Sequence, residues 1–210
     1  RKVGNPNDFA LKYFNDGVDE IIFIDIVASL YQRNNLDTIL KNAAKNIFVP
    51  ITAGGGIRNI DDAQRILRSG ADKIAVNTAA IQNPNLIRDL ANNVGTQSLV
   101  ISIEAKKNKN GFWEAFINNG RDKTGLNVLD WAKNAEKLGA GEVLLTSVDK
   151  EGTRKGFDLD LIKLVCKKVK IPVVACGGMY SLSCFENVVK KSNADAVAMS
   201  DCIHFNRLNI

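Results

Sequence analysis

The side chains able to move protons are few. The 210-residue chain has one histidine, His204, which excludes a serine–histidine triad and a histidine-rich metal centre. Its four cysteines, Cys166, Cys176, Cys184 and Cys202, form no CxxC pair and lie mostly in apolar runs, so they read as packed thiols; no metal and no cofactor is expected. Proton transfer then falls to carboxylates at the ends of apolar runs: Asp25, Glu104, Asp149 and Asp201. Glu104 is the most pointed of these. In Ser98–Glu104, strand alternation puts Ser102 and Glu104 on one face and Ile101 and Ile103 on the other. If the isoleucines pack under helices, Glu104 faces the opposite side, where partial burial would suit a general acid or base.

Glycine supplies the second kind of chemistry. PITAGGGIRN begins at Pro50, and PVVACGGMYS begins 122 positions later at Pro172. Gly54, Gly55 and Gly56 follow one apolar run, and Asn77 and Thr78 follow the next; their counterparts are Gly177 and Gly178, then Ser200 and Asp201. Backbone amides without a Cβ can approach an anion closely. Two such cradles imply a ligand with a phosphate at each end; the bland alternative is that the glycines only make tight turns. Asp201 is an anomaly, because a carboxylate repels phosphate unless it points away and leaves only its amide in use.

Elements must position these residues. Short runs rich in β-branched residues, Glu20–Ile26, Phe48–Ala53, Lys73–Asn77, Ser98–Glu104, Glu142–Ser147, Ile171–Cys176 and Asp195–Ser200, alternate with helix-periodic segments, which predicts seven parallel strands. Asn83 before Pro84 reads as a helix cap. Gly17, Gly70, Gly139 and Asn193 each close a helix just before a strand. Their spacings are 53 and 54 residues within each half and 122 and 123 between halves, the mark of a duplicated block of four βα units. Eight such units close a (β/α)8 TIM barrel; an open doubly wound sheet is the competing architecture and leaves the repeat unexplained. With seven strands visible, the expectation is a single barrel domain over residues 1–210, truncated at strand 1 and at the last helix, and inactive by itself because its sheet edges are unpaired.

Charge and composition limit the partners. The net charge of +5 is dispersed, or sits in pairs such as Lys167–Lys168 and Lys190–Lys191 near helix ends, without interleaved aromatics, so no nucleic acid is expected. No run approaches the roughly 18–20 apolar residues of a membrane span, and the start lacks a signal-peptide core, so a cytoplasmic protein is expected. Lys73 and Glu142 begin strands with inward parity; at this stage they are either wet strand starts or charges facing into the barrel floor.

The motifs VPITAGGGIR, GADKIAVNTAAIQNP, GAGEVLLTSVDKEGTRKGFD and ADAVAMSDCIHF closely resemble the cyclase subunit of imidazole glycerol phosphate synthase, a half-barrel-duplicated TIM barrel of histidine biosynthesis. The resemblance runs from Gly4 to the end. It implies a glutaminase partner at the barrel bottom and ammonia passing through the barrel to a bisphosphorylated ribotide, which is cleaved and cyclised. It assigns phosphate contacts to Gly56, Asn77 and Thr78 at one end and to Glu151, Gly152, Gly178, Ser200 and Asp201 at the other. By the same matching Glu20, Lys73 and Glu142 belong to an ammonia gate, and Asp72 to the partner interface. Glu104 stands where the family has an aspartate, whose partner aspartate lies on strand 1. Glu151 and Asp201 replace an aspartate and a serine, and Val27–Tyr31 replaces a more polar run that begins with threonine. IDIVASLYQRNNL and VISIEAKK resemble a paralogous branch that supplies ammonia for amidation of a surface-polysaccharide sugar, which stands as the alternative function. A non-catalytic barrel that only conducts ammonia is a third reading, and the pathway's related single-chain isomerase, which shares the barrel and both phosphate sites, matches these motifs less well.

Overall fold

A computed structural model describes residues 4–26 and 36–208. Strands β1 (Ile21–Ile24), β2 (Ile51–Gly54), β3 (Lys73–Val76), β4 (Leu99–Lys107), β7 (Glu142–Ser147), β8 (Val173–Cys176) and β9 (Ala196–Ala198) form one sheet in the order β1-β2-β3-β4-β7-β8-β9, and every neighbouring pair is parallel. These are the seven strands expected from the sequence. Two more, β5 (Trp113–Ile117) and β6 (Asp122–Asn127), form an antiparallel hairpin on the extended end of β4. The seven-strand reading missed them.

Helices α1 (Pro6–Asp16), α2 (Leu36–Ala43), α3 (Ile60–Arg68), α4 (Thr78–Gln82), α5 (Asn85–Val94), α6 (Val128–Leu138), α7 (Leu159–Lys168), α8 (Leu182–Ser192) and α9 (Asp201–His204) lie between and beside the strands. The glycine stops behave as expected: Gly17, Gly139 and Asn193 close α1, α6 and α8 in the left-handed conformation, and Gly70 (φ 112°) follows α3. Asn83 does not cap α5. Its N–H closes α4 on the Ala79 carbonyl at 2.9 Å, while Pro84 is already helical and no side-chain cap bond is made there.

The choice between barrel and open sheet is decided by which faces the helices cover. Ile74, Ile101, Ile103, Val143 and Leu145 pack with the helices in one large core. On the other face Ala75, Val100 and Leu144 pack with Ile22, Val174, Cys176 and Ala198, all strand residues, and among the described residues no helix contributes. A doubly wound sheet would need helices on both faces. Curvature makes the same point. Six strand spacings of about 4.8 Å would separate the two edges of a flat sheet by roughly 29 Å. Instead the Tyr13 hydroxyl of α1 is hydrogen-bonded to His204 Nδ1 of α9, with ring centroids 5.6 Å apart, and Phe9 lies 5.2 Å from the same imidazole. The sheet is therefore curled, with helices outside and small apolar side chains inside, an α/β architecture of TIM-barrel type.

Two aspartates show the duplication at atomic level. Asp72 exchanges two bonds with Ile51, its N–H donating to the Ile51 carbonyl and its Oδ2 accepting from the Ile51 amide, both at 2.8 Å. Asp195, 123 positions on, does the same with Val173 at 3.0 and 2.8 Å.

Candidate active site

Because the seven strands are parallel, both glycine turns leave the sheet at the same rim. Gly55 and Gly177 have φ of 97° and 102°, and Gly56 and Gly178 have 74° and 97°, values open chiefly to glycine. The turns also press on equivalent neighbours. A Cβ on Gly55 would lie 2.3 Å from the Asp25 carbonyl oxygen, and one on Gly177 would lie 2.9 Å from that of Ser147. Gly55 to Gly177 and Asp25 to Ser147 are each 122 positions, so the two turns occupy equivalent places in the two halves.

The first cradle opens into a cavity of about 270 Å³ lined by Asp25, Gly55, Gly56, Arg58, Asn77, Thr78, Ser102 and Glu104. Ile101 and Ile103 are fully buried under the helices, and Glu104 reaches the cavity, as the alternation predicts. Burial lifts its carboxyl above the ordinary value, against the pull of the Gly120 amide and the Asn77 side chain. The Gly120 N–H donates to Glu104 Oε2 at 2.8 Å.

The turn of the β5–β6 hairpin does this positioning. Besides the Gly120 bond, the Asn118 amide donates to Thr78 Oγ1 at 3.2 Å, Asn77 Nδ2 donates to the Phe116 carbonyl at 3.1 Å, and Asn119 Nδ2 bonds the Ile26 carbonyl. Thr78 accepts here, so its own hydroxyl proton remains available to a ligand. At its base the hairpin is tied to the opposite half of the rim: Trp113 Nε1 donates to Asp158 Oδ2 at 2.9 Å, and Asp158 caps α7. None of these hairpin contacts was foreseen. The local signal was Asn119–Gly120, a hairpin-turn dipeptide between alternating WEAFI and DKTGLN runs.

The second cradle is nearly filled. Glu151, Gly152, Arg154, Cys176, Gly177, Gly178, Ser200 and Asp201 surround about 20 Å³. The Asp201 carboxylate, which repels an anion unless it is turned aside, is taken up by two arginines. Its Oδ2 accepts from Arg207 Nη1 at 2.7 Å and pairs with Arg154 Nε at 3.4 Å. The Glu151 amide is committed to the Ser147 carbonyl at 2.9 Å, and its carboxyl is pushed up by burial first and by Asp201 second. Cys176 beside it is pushed up to about 12, by burial and then by Glu151.

At the other end of the same strands, Lys73 Nζ lies 2.9 Å from Glu20 Oε2 and 2.8 Å from Glu142 Oε2, and the Thr52 hydroxyl donates to the second oxygen of Glu20. These are not wet strand starts. Lys73 is only 21% exposed; burial works against its charge, but the two carboxylates prevail and its pKa is raised. Glu20 and Glu142 are again 122 positions apart, duplicates that share one lysine. Asp72 lies among the exposed residues, with its carboxylate bonded to Ile51 as above.

Of the other strand-end carboxylates, Asp149 accepts from the Lys107 amide at 2.7 Å and holds the hairpin stem, while Asp25 lines the first cavity. The aromatic run at Val27–Tyr31 lies outside the described residues.

Residues 1–209 match the family described as histidine biosynthesis protein. The chain is 60% identical over 185 residues to imidazole glycerol phosphate synthase subunit HisF of Legionella pneumophila, covering 88% of this chain and 87% of that protein. Subunits of the same name from Clostridium botulinum (strain 657 / Type Ba4) and Lactococcus lactis subsp. cremoris (strain SK11) are 46% and 44% identical over 211 aligned positions, covering all of this chain and 83% and 82% of those proteins.

Proposed function

The chain belongs to the histidine biosynthesis protein family, and from that premise we propose that it is the cyclase subunit of imidazole glycerol phosphate synthase. The reaction joins ammonia to a phosphoribulosyl-formimino aminoimidazole carboxamide ribotide and releases imidazole glycerol phosphate and the aminoimidazole carboxamide ribotide. The observation that carries this reading is the division of the strand ends: two duplicated anion cradles with Glu104 at one rim, and a Glu–Lys–Glu cluster at the other. A bisphosphate spanning the rim, held by Gly55, Gly56, Asn77 and Thr78 and by Gly152, Gly177, Gly178 and Ser200, would lie over the barrel axis. Glu104, lifted above the ordinary carboxylate range, holds a proton at higher pH than a solvated glutamate and serves as the general acid or base at Oε1 or Oε2.

Ammonia is the small reactant that suits the far end. Neutral ammonia can pass the apolar interior of Ile22, Ala75, Val100, Leu144 and Val174, where an ammonium ion would pay the desolvation cost of a buried charge. Glu20, Lys73 and Glu142 form its gate, and a glutaminase subunit docked on that face, with Asp72 at the contact, is its source. The subunits it resembles carry the histidine-pathway name, so sugar amidation is not the favoured reading.

The test uses the full-length protein with ammonium chloride and the ribotide. Release of imidazole glycerol phosphate is expected, with loss of turnover but retained binding in Glu104→Ala. Binding of the ribotide without turnover in the unaltered protein would reject the cyclase reading.

A further inference from the structure

At the edge of the second cradle, two cations converge on one anion, Arg154 from among the lining residues and Arg207 from behind Asp201, where the sequence led to an expectation of backbone amides alone. Arg154 comes from the loop after β7 and Arg207 from the segment after α9, and both end on Asp201 Oδ2. Arg154 engages through Nε, which leaves the donors of its two Nη groups directed elsewhere; Arg207 engages through Nη1, which also lies 3.4 Å from the Asp201 carbonyl. The Arg207 guanidinium is further steadied over the Phe205 ring, 4.6 Å from its centroid. Arg154 sits at φ 56°, a left-handed position unusual for arginine, at the edge of the cavity that Gly152, Gly177, Gly178 and Ser200 line.

We propose that Asp201 is a positioning residue that holds Arg154 and Arg207 over the second cradle, making it a guanidinium site for a phosphate dianion. The proposal rests on the bisphosphate reading above. It reverses the naive role of Asp201. A lone carboxylate at this place would repel phosphate, whereas one carboxylate shared by two guanidinium groups has its charge offset and fixes the direction of two rotamer-rich side chains that are otherwise 49% and 38% exposed.

The two roles differ in sign, and calorimetric titration of the full-length protein with inorganic phosphate reads that sign. Two sites are expected, one weakened by Thr78→Ala and the other insensitive to it. Asp201→Asn should weaken the second site about five- to tenfold although it removes a negative charge, and Arg154→Ala with Arg207→Ala should weaken it further and steepen the loss with salt no more. In that double-alanine background Asp201→Asn should instead tighten phosphate binding, because only repulsion remains. Thermal melts of each variant check that folding is intact. Tighter binding in Asp201→Asn with both arginines present, or unchanged binding in the double-alanine protein, would overturn the proposal while leaving the bisphosphate reading in place. No phosphate uptake at either site in the unaltered protein would overturn that reading, and this proposal with it.

Discussion

Substituting Gly55 by alanine tests the cradle geometry most directly. Gly55 has φ 97°, where an L side chain is strained by roughly 1–2 kcal/mol. Its Cβ would also fall 2.3 Å from the Asp25 carbonyl oxygen and 2.9 Å from the Asp25 nitrogen; both are backbone atoms of a strand end, so relief requires moving β1 against β2, an overpacking cost of about 1–3 kcal/mol. Together these give a loss of about 2–5 kcal/mol. Gly177→Ala shares the φ penalty, but its Cβ stands 2.9 Å from the Ser147 oxygen, so about 1–3 kcal/mol is expected. Gly152→Ala, at φ 68° with nothing within 4 Å of the added Cβ, pays strain alone, roughly 1 kcal/mol. Urea unfolding at pH 7 measures the three differences, and thermal melting should follow at roughly 2–4 °C per kcal/mol for a chain of this size. Inorganic phosphate should raise the midpoint of the unaltered protein more than that of Gly55→Ala. If Gly55→Ala lies within about 0.5 kcal/mol of the unaltered protein, or no lower than Gly152→Ala, close packing of the turn on β1 is not what requires glycine there.

The remaining predictions concern the groups around the two ends of the barrel. Glu104 has its folded-state pKa raised, so the native state binds more protons than the unfolded chain just above the ordinary carboxylate value of 4.5, and stability falls as pH rises through that window. Glu104→Gln should therefore be more stable than the unaltered protein at pH 7, with the gap closing below about pH 4; a gap independent of pH contradicts the burial argument. Gly120→Ala, with φ 69° and a Cβ 3.1 Å from both Val148 methyl groups, should cost about 1–2 kcal/mol and move the Glu104 limb of the pH–rate profile upward, since a donor to the charged form is displaced. Lys73→Met leaves Glu20 and Glu142 facing each other and should lower urea stability by about 1–3 kcal/mol, less than for a fully buried triad because the side chains are 16–28% exposed; Lys73→Arg should recover part of it. Asp72→Ala and Asp195→Ala each remove a carboxylate acceptor from a backbone amide, and each should cost about 1–3 kcal/mol, agreeing within about 0.5 kcal/mol if the duplication is energetic as well as geometric.

Local and periodic features are legible in the sequence itself. β-branched runs between helical segments placed the seven parallel strands, left-handed stops at Gly17, Gly139 and Asn193 marked helix ends, and the recurrence near 122 residues announced two matching halves. Parity alone turned Glu104 away from Ile101 and Ile103, and turned Lys73 and Glu142 inward, because side chains on a strand alternate faces whatever surrounds them. The hairpin carries the same kind of local signal at Asn119–Gly120, a turn dipeptide between two alternating runs.

What tertiary structure alone decided are contacts between residues far apart in the chain. Whether Lys73 is a wet strand start or a shared counterion depends on the register that brings Glu20 and Glu142 to it from 53 and 69 residues away. Whether Asp201 repels or assists an anion depends on where two long arginine side chains come to rest, and whether Glu104 is held depends on a turn 16 residues on that folds back over the rim. Periodicity sets which face a side chain takes because that follows from backbone geometry, residue by residue. Partners across a barrel depend on sheet curvature, strand register and rotamer together, quantities summed over the whole fold and carried by no short stretch of chain.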